Sequence, residues 1–307
     1  MAKNRKDEHY AVVRTGRLNY TGPAATPQIE LNFEQYLSKT NRRLYRQSRC
    51  YEVKLDIDAG STQTYNVYAL SDSWMNERAL KMAYAMYLEN SGDERDRLKE
   101  DVIARWEDFR TRSGFGFQQV SPQQYDNTLT ASILTSGEFN LTQVVDSAGV
   151  SRGFTWGTPN PALYGITQEY DKAGNAQQSP TSATGDMPYD DLMADDSAVM
   201  ASKLQTNGDN PPYDALGVNG DRTWVKVATL AAGAAQRLST GFFKAPCGIV
   251  LITAGAGSEL VAVDKFEWTV KGGDYKGVHA PNLIDGALVR HSSGTLGRMV
   301  NGVWRKI

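Results

Sequence analysis

The amino-acid sequence predicts an all-β protein that carries a few short helices. Strand-like runs recur at a spacing of roughly ten residues, with Gly, Pro, Asn and Asp between them, which is typical of a β-sandwich or barrel. Two strand-rich blocks stand on either side of a long polar stretch, residues 171–222. Only residues 68–112 keep a helical period over a long distance. These observations predict two β-domains in tandem, with helices inserted in the first.

The chain is predicted to divide into three parts. Residues 1–28 are expected to form an N-terminal arm with short edge strands, because Gly and Pro at residues 22–27 interrupt any regular element. Residues 29–190 are predicted to be the first β-domain. Residues 191–307 are predicted to be the second, preceded by a long loop.

The clearest strand is predicted at residues 51–58, where apolar and polar residues alternate strictly. Further strand-like runs fill both domains. They cover residues 65–68, 128–134, 139–145, 154–156, 163–170, 224–230, 236–243, 249–254, 260–263 and 266–270. The tail, at residues 287–289 and 299–304, is expected to add edge strands.

The helical stretch is predicted to be a pair of short helices inserted at residues 72–112, with a tight turn at residues 90–92. The second helix opens with a capping-box spacing, Ser91-Gly-Asp-Glu94. A helix that is apolar over much of its surface is usually buried on more than one side. The residues expected to form the core of the pair are Trp74, Leu80, Tyr84, Leu98, Val102, Trp106 and Phe109.

Charge is distributed unevenly along the chain. The 307 residues have a formal net charge of −2, which argues against a protein that coats nucleic acid over its whole surface. Residues 1–55, however, hold eleven Lys or Arg against five Asp or Glu. This part is expected to meet nucleic acid, lipid headgroups or an acidic neighbour, unless it is only a solvated basic surface. The candidate residues, at an inner face or between subunits, are Lys3, Arg5, Lys6, Arg42, Arg43, Arg46 and Arg49.

The last four of these bases flank Tyr45 in a segment that is predicted to form one short helix. A basic segment with an interleaved aromatic residue is typical of a nucleic-acid surface. An arm that docks on a neighbouring subunit through its arginines explains the same pattern equally well.

The sequence holds no motif for catalysis or metal binding. The three histidines stand in no zinc-binding spacing, and there is neither a P-loop nor a G-x-S-x-G elbow. Cys50 and Cys247 are expected to be buried free thiols. The long loop carries acids that are interpreted as a solvated surface and not as a glycosidase pair. A calcium site is left open there, although the D-x-D-x-D-G pattern is missing. These acids are Asp190, Asp191, Asp195 and Asp196. No catalytic residue, metal or cofactor is therefore predicted.

Nothing in the sequence predicts a membrane span or a secretory signal. No apolar run reaches the roughly 18 residues that a spanning helix needs. The basic N-terminus is not followed by an apolar stretch. The protein is expected to be soluble and made in a cytoplasm.

One part of the chain resembles a known family. With Tyr-Ala-Leu-Ser-Asp-Ser-Trp at residues 68–74 and Ala-Arg-Trp-Glu-Asp-Phe-Arg at residues 104–110, the sequence resembles the coat proteins of small single-stranded DNA viruses. These include the tailless, membrane-containing phage of Flavobacterium. The likeness covers residues 68–112 well. The rest of the chain shares only general features with that family, namely short strands, polar loops and a basic start.

The resemblance implies a major capsid protein in the virion of a bacteriophage, made in the cytoplasm of its host. In that lineage the subunit carries two jelly rolls side by side and forms homotrimers, and these trimers are pseudo-hexagonal capsomers with pseudo-sixfold symmetry that build an icosahedral capsid. The implied partners are other copies of the chain in the trimer and in neighbouring capsomers, and other virion proteins such as a vertex protein. An inner membrane or the genome is the implied partner of the basic N-terminal segment. The family has no catalytic residues.

Three alternatives stay open. The chain could be a single jelly roll with long insertions that builds a smaller shell. It could instead be a carbohydrate-binding β-sandwich adhesin, since sandwiches with exposed aromatic residues often bind sugars. A hydrolase built on a β-sandwich is the third, and the lack of a histidine constellation speaks against it.

Overall fold

The structure is a computed structural model that describes the chain in segments. They are residues 12–19, 28–58, 64–97, 106–114, 118–119, 121–125, 131–133, 139–145, 149–175, 223–231, 237–255, 265–290, 295–300 and 303–307. Within them the chain forms two large sheets, two three-stranded sheets and three helices. The predicted all-β class with a few helices is therefore confirmed.

The first large sheet combines strands from both halves of the chain. Its strands are β1 (Thr15–Asn19), β3 (Cys50–Asp58), β6 (Ser121–Tyr125), β7 (Ala131–Ile133), β12 (Arg237–Ser239), β13 (Phe243–Pro246) and β15 (Lys265–Val270). They run in the order β12–β3–β15–β1–β6–β7, and β13 also pairs with β3. All of these pairings are antiparallel.

The second large sheet is built in the same way. Its strands are β2 (Gln28–Asn32), β4 (Thr64–Leu70), β5 (Gln118–Gln119), β11 (Trp224–Ala231) and β14 (Ile249–Ala254). Their order is β11–β4–β14–β2–β5. Only the short β5 runs parallel to its neighbour. As described, both large sheets are open and neither closes into a barrel.

Eight strands wind between the two sheets along the chain. In chain order they are β1, β2, β3, β4, β11, the β12–β13 pair, β14 and β15. When these eight strands are counted in chain order, the strands that lie side by side in the first sheet are the first, the eighth, the third and the sixth. The second sheet holds them in the order second, seventh, fourth, fifth. These eight strands are called the sandwich below.

The two sheets of the sandwich share one apolar core. Leu55 and Trp268 of the first sheet and Val67 of the second are almost fully buried in the same cluster. Tyr65 of the second sheet meets Phe266 of the first edge to face, with ring centroids 6.3 Å apart. Burial of aliphatic and aromatic surface from both sheets is the main stabilising contribution here.

The sequence located most strands of the sandwich. The alternating run at residues 51–58 is β3, in which Tyr51, Val53, Leu55 and Ile57 are buried. The runs predicted near β4, β11, β14 and β15 are also strands. The run at 236–243 is divided into β12 and β13 at Thr240. The backbone N–H of Thr240 still donates to Leu55 O at 3.0 Å, but the N–H of Leu55 donates to the Thr240 hydroxyl and not to a backbone carbonyl.

The predicted division into two tandem domains does not match the strand pairings. β4, assigned to the first domain, pairs with β11 and β14, which were assigned to the second. β15 pairs with both β3 and β1. β1 lies inside the first sheet between β15 and β6, so residues 15–19 are neither a free arm nor an edge strand. Sheets select partners by register and buried face, and chain proximity does not decide them.

Residues 71–223 form an insertion between β4 and β11. It begins with α2 (Trp74–Arg97), a single helix of 24 residues. The predicted turn at residues 90–92 is wrong. The side chains of Asn90 and Ser91 donate to the backbone carbonyls four residues earlier, at 3.0 and 2.7 Å, so the helix accommodates these polar residues.

The second helix of the predicted pair is absent from residues 106–114, and residues 98–105 lie outside the described segments. Residues 106–114 instead run irregularly beside β9 (Ser151–Thr155). The N–H of Arg112 donates to Phe154 O at 3.2 Å, and the N–H of Trp156 donates to Arg112 O at 2.8 Å. These strand-like bonds use backbone groups that a helix would have paired within itself.

Besides β5, β6 and β7, which belong to the large sheets, the described part of the insertion holds a small sheet and a helix. The sheet has the order β10–β9–β8, with β8 (Gln143–Val145) and β10 (Leu163–Gly165) on either side of β9. The strand predicted at residues 163–170 ends early, because α3 (Ile166–Asn175) begins at its fourth residue. Ile166 is buried and Glu169 is exposed, as expected for an amphipathic helix on this surface.

The tail forms a sheet of its own. After β16 (Gly272–Tyr275), the strands β17 (Leu288–Arg290), β18 (Leu296–Val300) and β19 (Val303–Lys306) pair antiparallel in that order. They are not edge strands of the large sheets, as was predicted for the tail. One face, with Val289 and Met299, packs against Tyr84 and Leu88 of α2.

Candidate functional site at one end of the sandwich

The predicted basic segment follows a buried helix. α1 (Phe33–Asn41) leaves β2 directly, and its residues 33–39 are all buried. Arg42 ends the helix in the left-handed conformation, with φ 49°. The chain then runs to β3 through turns, so the short helix predicted around Tyr45 is not formed.

Tyr45 anchors this segment inside the protein. Its backbone N–H donates to Ser38 Oγ at 2.8 Å, and its phenol donates to the backbone oxygen of Lys276 at 2.8 Å. Its ring meets the ring of Tyr275 edge to face at 6.3 Å. Because Tyr45 is fully buried, it cannot offer a face for a nucleotide base to stack on.

Four cationic side chains gather around these two tyrosines. The guanidinium carbon of Arg49 lies 3.9 Å from the ring centroid of Tyr275. Lys276 Nζ lies 5.6 Å from the same centroid and donates to Leu44 O. Arg46 reaches outward and lies 3.4 Å from Asp108. Arg43, Arg46, Arg49 and Lys276 are called the basic cluster below.

The cations of the basic cluster repel one another. Burial lowers the pKa of Lys276, and the charges of Arg46, Arg43 and Arg49 lower it further. Asp108 acts in the opposite direction. Arg49 Nε is buried and has no hydrogen-bond partner in the described structure. The cluster therefore has the positive charge that suits a phosphate, sulfate or carboxylate group, although the buried Nε of Arg49 cannot reach such a ligand.

The structure brings together only part of the predicted basic set. Arg43, Arg46 and Arg49 meet in the cluster, whereas Arg42 stays exposed at the end of α1. The other three predicted bases, Lys3, Arg5 and Lys6, lie outside the described residues. Lys276 was not foreseen, since it follows Tyr45 by 231 positions and only the pairing of β15 with β3 brings the two together.

A buried polar seam lies beneath the basic cluster, where the insertion meets the sandwich. Gln47 Nε2 donates to Thr111 O at 3.0 Å, and the N–H of Thr111 donates to Gln47 Oε1 at 2.5 Å. The N–H of Gln47 donates to Asp108 Oδ2 at 2.7 Å. Nearby, the N–H of Ser113 donates to Glu30 Oε2 at 3.3 Å. These five residues are called the polar seam below.

Two acids near the seam have raised pKa values. Burial raises the pKa of Asp108, against the stabilising hydrogen bond from Gln47 and the charge of Arg46. Burial also raises the pKa of Glu34 to about 8, although the charge of Arg110 opposes this. Neither oxygen of Glu34 has a hydrogen-bond partner in the described structure. Glu34 is therefore mainly protonated at neutral pH.

The residues predicted to form the core of the helical pair differ in how deeply they are buried. Leu80 and Phe109 are buried in one cluster, and the ring of Tyr84 lies 5.5 Å from that of Phe109. Trp106 is half-buried in a turn. Trp74, expected in the core, is 52% exposed at the start of α2. Leu98 and Val102 lie outside the described residues.

An apolar groove runs along α2, next to α3. It encloses about 290 Å³. Met82 and Met86 are exposed at its edge. Tyr164 and Tyr170 line its other side. The groove lies between two parts of the insertion, α2 on one side and β9, β10 and α3 on the other.

The described residues contain no group of three or more His, Cys, Asp or Glu that could hold a metal ion. Cys50 and Cys247 are both buried and free, as predicted. Burial raises the pKa of the Cys50 thiol to about 12 and that of Cys247 well above its usual range. Neither thiol is a nucleophile at neutral pH. The acids predicted as a solvated loop, residues 190–196, lie outside the described segments.

Comparison with protein-family models, with curated proteins and with solved structures gives no match to this chain. Along the described part of the chain, none of the helices has the length and apolar character needed to cross a membrane. The function is therefore inferred from the fold and its surfaces.

Proposed function

We propose that this chain is a viral capsid protein whose single jelly roll assembles with other copies into a closed shell. The observation that carries this proposal is the winding of the eight strands. A jelly roll is an eight-stranded double sheet made of two Greek keys, and it is an architecture used by viral capsid proteins and lectins. The orders first–eighth–third–sixth and second–seventh–fourth–fifth are those of such a winding.

The proposal adopts one jelly roll per chain. Strands from residues 15–70 and from residues 224–270 are interleaved in the same two sheets. This favours a single jelly roll with a long insertion between its fourth and fifth strands over two barrels side by side. A shell built from one-barrel subunits does not need the pseudo-sixfold capsomer expected from the double jelly roll. The homotrimer remains a prediction of this proposal.

Exposed apolar side chains supply the contacts that self-assembly requires. Val145 and Val150 are exposed in and beside the β8–β9 hairpin, and Leu288, Leu296 and Val303 are exposed on the C-terminal sheet. Apolar patches on a protein surface often mark interaction sites. In a shell, neighbouring subunits would cover these patches.

The basic cluster would meet an anionic partner within the virion. Its excess of positive charge fits genome phosphates or lipid headgroups, which are the partners expected for the basic N-terminal segment. Because the tyrosines are buried or already covered by cations, the cluster suits phosphate contacts better than base stacking. Such contacts give binding without sequence preference and with a strong dependence on salt.

Light scattering combined with negative-stain imaging tests the proposal on the purified chain. We expect a trimer near three times 33.8 kDa, and closed particles at higher protein concentration. Circular dichroism with a β-sheet spectrum serves as the control against aggregation of unfolded protein. A folded monomer that stays monomeric at every concentration, with and without nucleic acid, would contradict the proposal.

A carbohydrate-binding function is the second candidate, and one observation favours it. Trp74 and Phe242 are both exposed. Asp72, two residues before Trp74, forms an ion pair with Lys244, two residues after Phe242. This ion pair joins the two segments. Exposed aromatic rings are common platforms for sugars. Glycan-array binding by a stable monomer, lost in the Trp74→Ala variant, would favour this function over a shell.

A further inference from the structure

The C-terminal sheet leaves one face exposed. Burial alternates along β18, so that Met299 points inward while its two neighbours in the strand point outward. Most of the large outward side chains are apolar, and these are exposed by between 40% and 68%. They are Leu288, Leu296, Val300, Val303 and, at the end of the last strand, Ile307. This set is called the outer face below.

Basic side chains are interleaved with the apolar ones on the outer face. Arg298 is paired with Leu288 on one side and with Arg305 on the other. Both arginines are exposed. Residues 287–307 contain no Asp or Glu at all. A partner that binds this face must therefore offer both negative charge and apolar side chains, interleaved with each other as the arginines and apolar side chains are here.

One segment of the chain combines these two properties. Residues 176–222 lie outside the described structure, between α3 and the start of β11. They hold eight acids against two bases. The acids are Asp186, Asp190, Asp191, Asp195, Asp196, Asp209, Asp214 and Asp221, and the bases are Lys203 and Arg222. Apolar residues stand among the acids, notably Leu192, Met193, Val199 and Met200.

We propose that the outer face of the C-terminal sheet binds the acidic segment of residues 176–222 from a second copy of this chain. This inference rests on the proposed self-assembly and names the contact that would produce it. Charge complementarity steers the two surfaces together, and burial of the aliphatic side chains stabilises the contact.

The geometry of this contact also limits the assembly. A different surface is used on each of the two partners, so the contact is heterologous. Heterologous contacts close into rings when the rotation between subunits allows it. The contact is thus compatible with the predicted homotrimer, in which each copy gives its segment to the next.

A nucleic acid fits the outer face less well. Phosphates would pair with Arg298 and Arg305, but they would leave Leu296, Val300 and Val303 without an apolar partner. An anionic lipid surface offers both charge and apolar chains, and it is therefore included as an outcome of the test.

Charge reversal on each side of the contact tests the proposal. One variant is Arg298→Glu/Arg305→Glu, and the other is Asp190→Lys/Asp191→Lys/Asp195→Lys/Asp196→Lys. Reversed charges at an interface repel the partner, so we expect each variant to associate at least about tenfold more weakly in sedimentation. Combining both sets in one chain restores opposite charges and should recover association.

A matched control reverses two exposed bases elsewhere, Lys226→Glu/Arg112→Glu. It should associate as the unmodified chain does. Unchanged association of both charge-reversal variants would overturn the inference. Loss in the outer-face variant alone would also overturn it, because the occupant would then be something other than the acidic segment. Binding of the unmodified protein to anionic vesicles, lost in the outer-face variant, would identify a lipid surface as that occupant.

Crosslinking decides whether the contact lies between chains. Two single variants, Ala194→Cys and Leu296→Cys, are mixed and oxidised mildly; the native cysteines are buried. A covalent product of twice 33.8 kDa in the mixture is expected, with much less when Val225→Cys replaces Leu296→Cys. Within one chain carrying both cysteines, exclusively intrachain disulfides would overturn the inference.

These results separate the two proposals. A folded protein that is monomeric at every concentration contradicts the proposed shell function. An oligomer that forms normally in both charge-reversal variants contradicts only the contact inferred for the outer face.

Discussion

The core of the sandwich and the polar seam beneath the insertion are held together by different interactions. In the sandwich core, Trp268 lies between Phe33 and Tyr36, with ring centroids 6.2 and 6.0 Å apart, and it is 1% exposed. In the polar seam, the contacts are hydrogen bonds between Gln47 and Thr111 or Asp108. One region depends on shape and apolar area, and the other on the pairing of buried polar groups.

The two regions also differ in which residues form them. Among the side chains that the structure describes, the buried cluster of the core is drawn from β1 to β4, β11 to β15, α1 and the segments beside them. The insertion meets the sandwich through the polar seam, whose buried groups must satisfy one another, and through β5 and β6, which pair with β2 and β1. A second apolar cluster joins Phe109 and Phe154 of the insertion to Leu70 and Leu251 of the sandwich.

The largest effect is expected in the sandwich core. Replacing Trp268 with Ala removes a large buried side chain and leaves a cavity, so the free energy of unfolding should fall by about 3–5 kcal/mol. The matched control is Trp74→Ala, at an exposed position, where a change within about 0.5 kcal/mol is expected. Urea unfolding measures both. Equal losses in the two variants would mean that the core is not where the structure places it.

The next effect is expected in the polar seam. Gln47→Ala leaves the N–H and the C=O of Thr111 buried without their partner, and we expect unfolding to become easier by about 2–3 kcal/mol. Gln143→Ala is the control, because Gln143 is exposed and accepts a hydrogen bond from Ser151 across a surface hairpin. A Gln47→Ala variant as stable as its control in urea unfolding would show that the seam is solvated and does not join the two regions.

The third effect is expected from Glu34, and its size depends on pH. The pKa of Glu34 is about 8 in the folded chain and about 4.5 when unfolded, so only the folded state keeps the proton between these values. The contribution of protonated Glu34 to the free energy of unfolding is therefore fully present below pH 4.5, and it is lost as the pH rises towards 8. The Glu34→Gln variant keeps a neutral group at every pH.

We expect the unmodified chain to lose stability relative to Glu34→Gln by up to about 1.4 kcal/mol per pH unit between pH 5 and pH 8. The pH-dependent contributions of the other carboxylates are the same in both proteins, so they cancel in this difference. Glu77→Gln, an exposed position on α2, should show no such trend. Parallel pH profiles for the unmodified chain and Glu34→Gln would show that Glu34 is ionised in the folded protein.

The sequence indicated the elements whose signal is local. Strict alternation located β3, and similar runs located β4, β11, β14 and β15. The isolated cysteines indicated two free thiols. The basic segment around Tyr45 indicated part of the basic cluster. Each of these signals lies within a few neighbouring residues.

The helix and tryptophan predictions failed because their outcome is not local. Periodicity gave Trp74 and Trp106 the same core role, but Trp74 is exposed and Trp106 lies in a turn outside any helix. The tight turn expected at residues 90–92 is absent because the helix bonds its polar side chains to its own carbonyls. Tertiary contacts with β9 also hold Arg112 in an extended conformation.

The sequence by itself determined the all-β class, most strands of the sandwich and the burial of both thiols. Only the tertiary structure decided that strands from both halves share one pair of sheets, and that Lys276 joins the arginines near Tyr45. The physical reason is that side-chain alternation is a property of a single strand. The partner of a strand is set by register and buried face among segments far apart in the chain, and no local pattern specifies that choice.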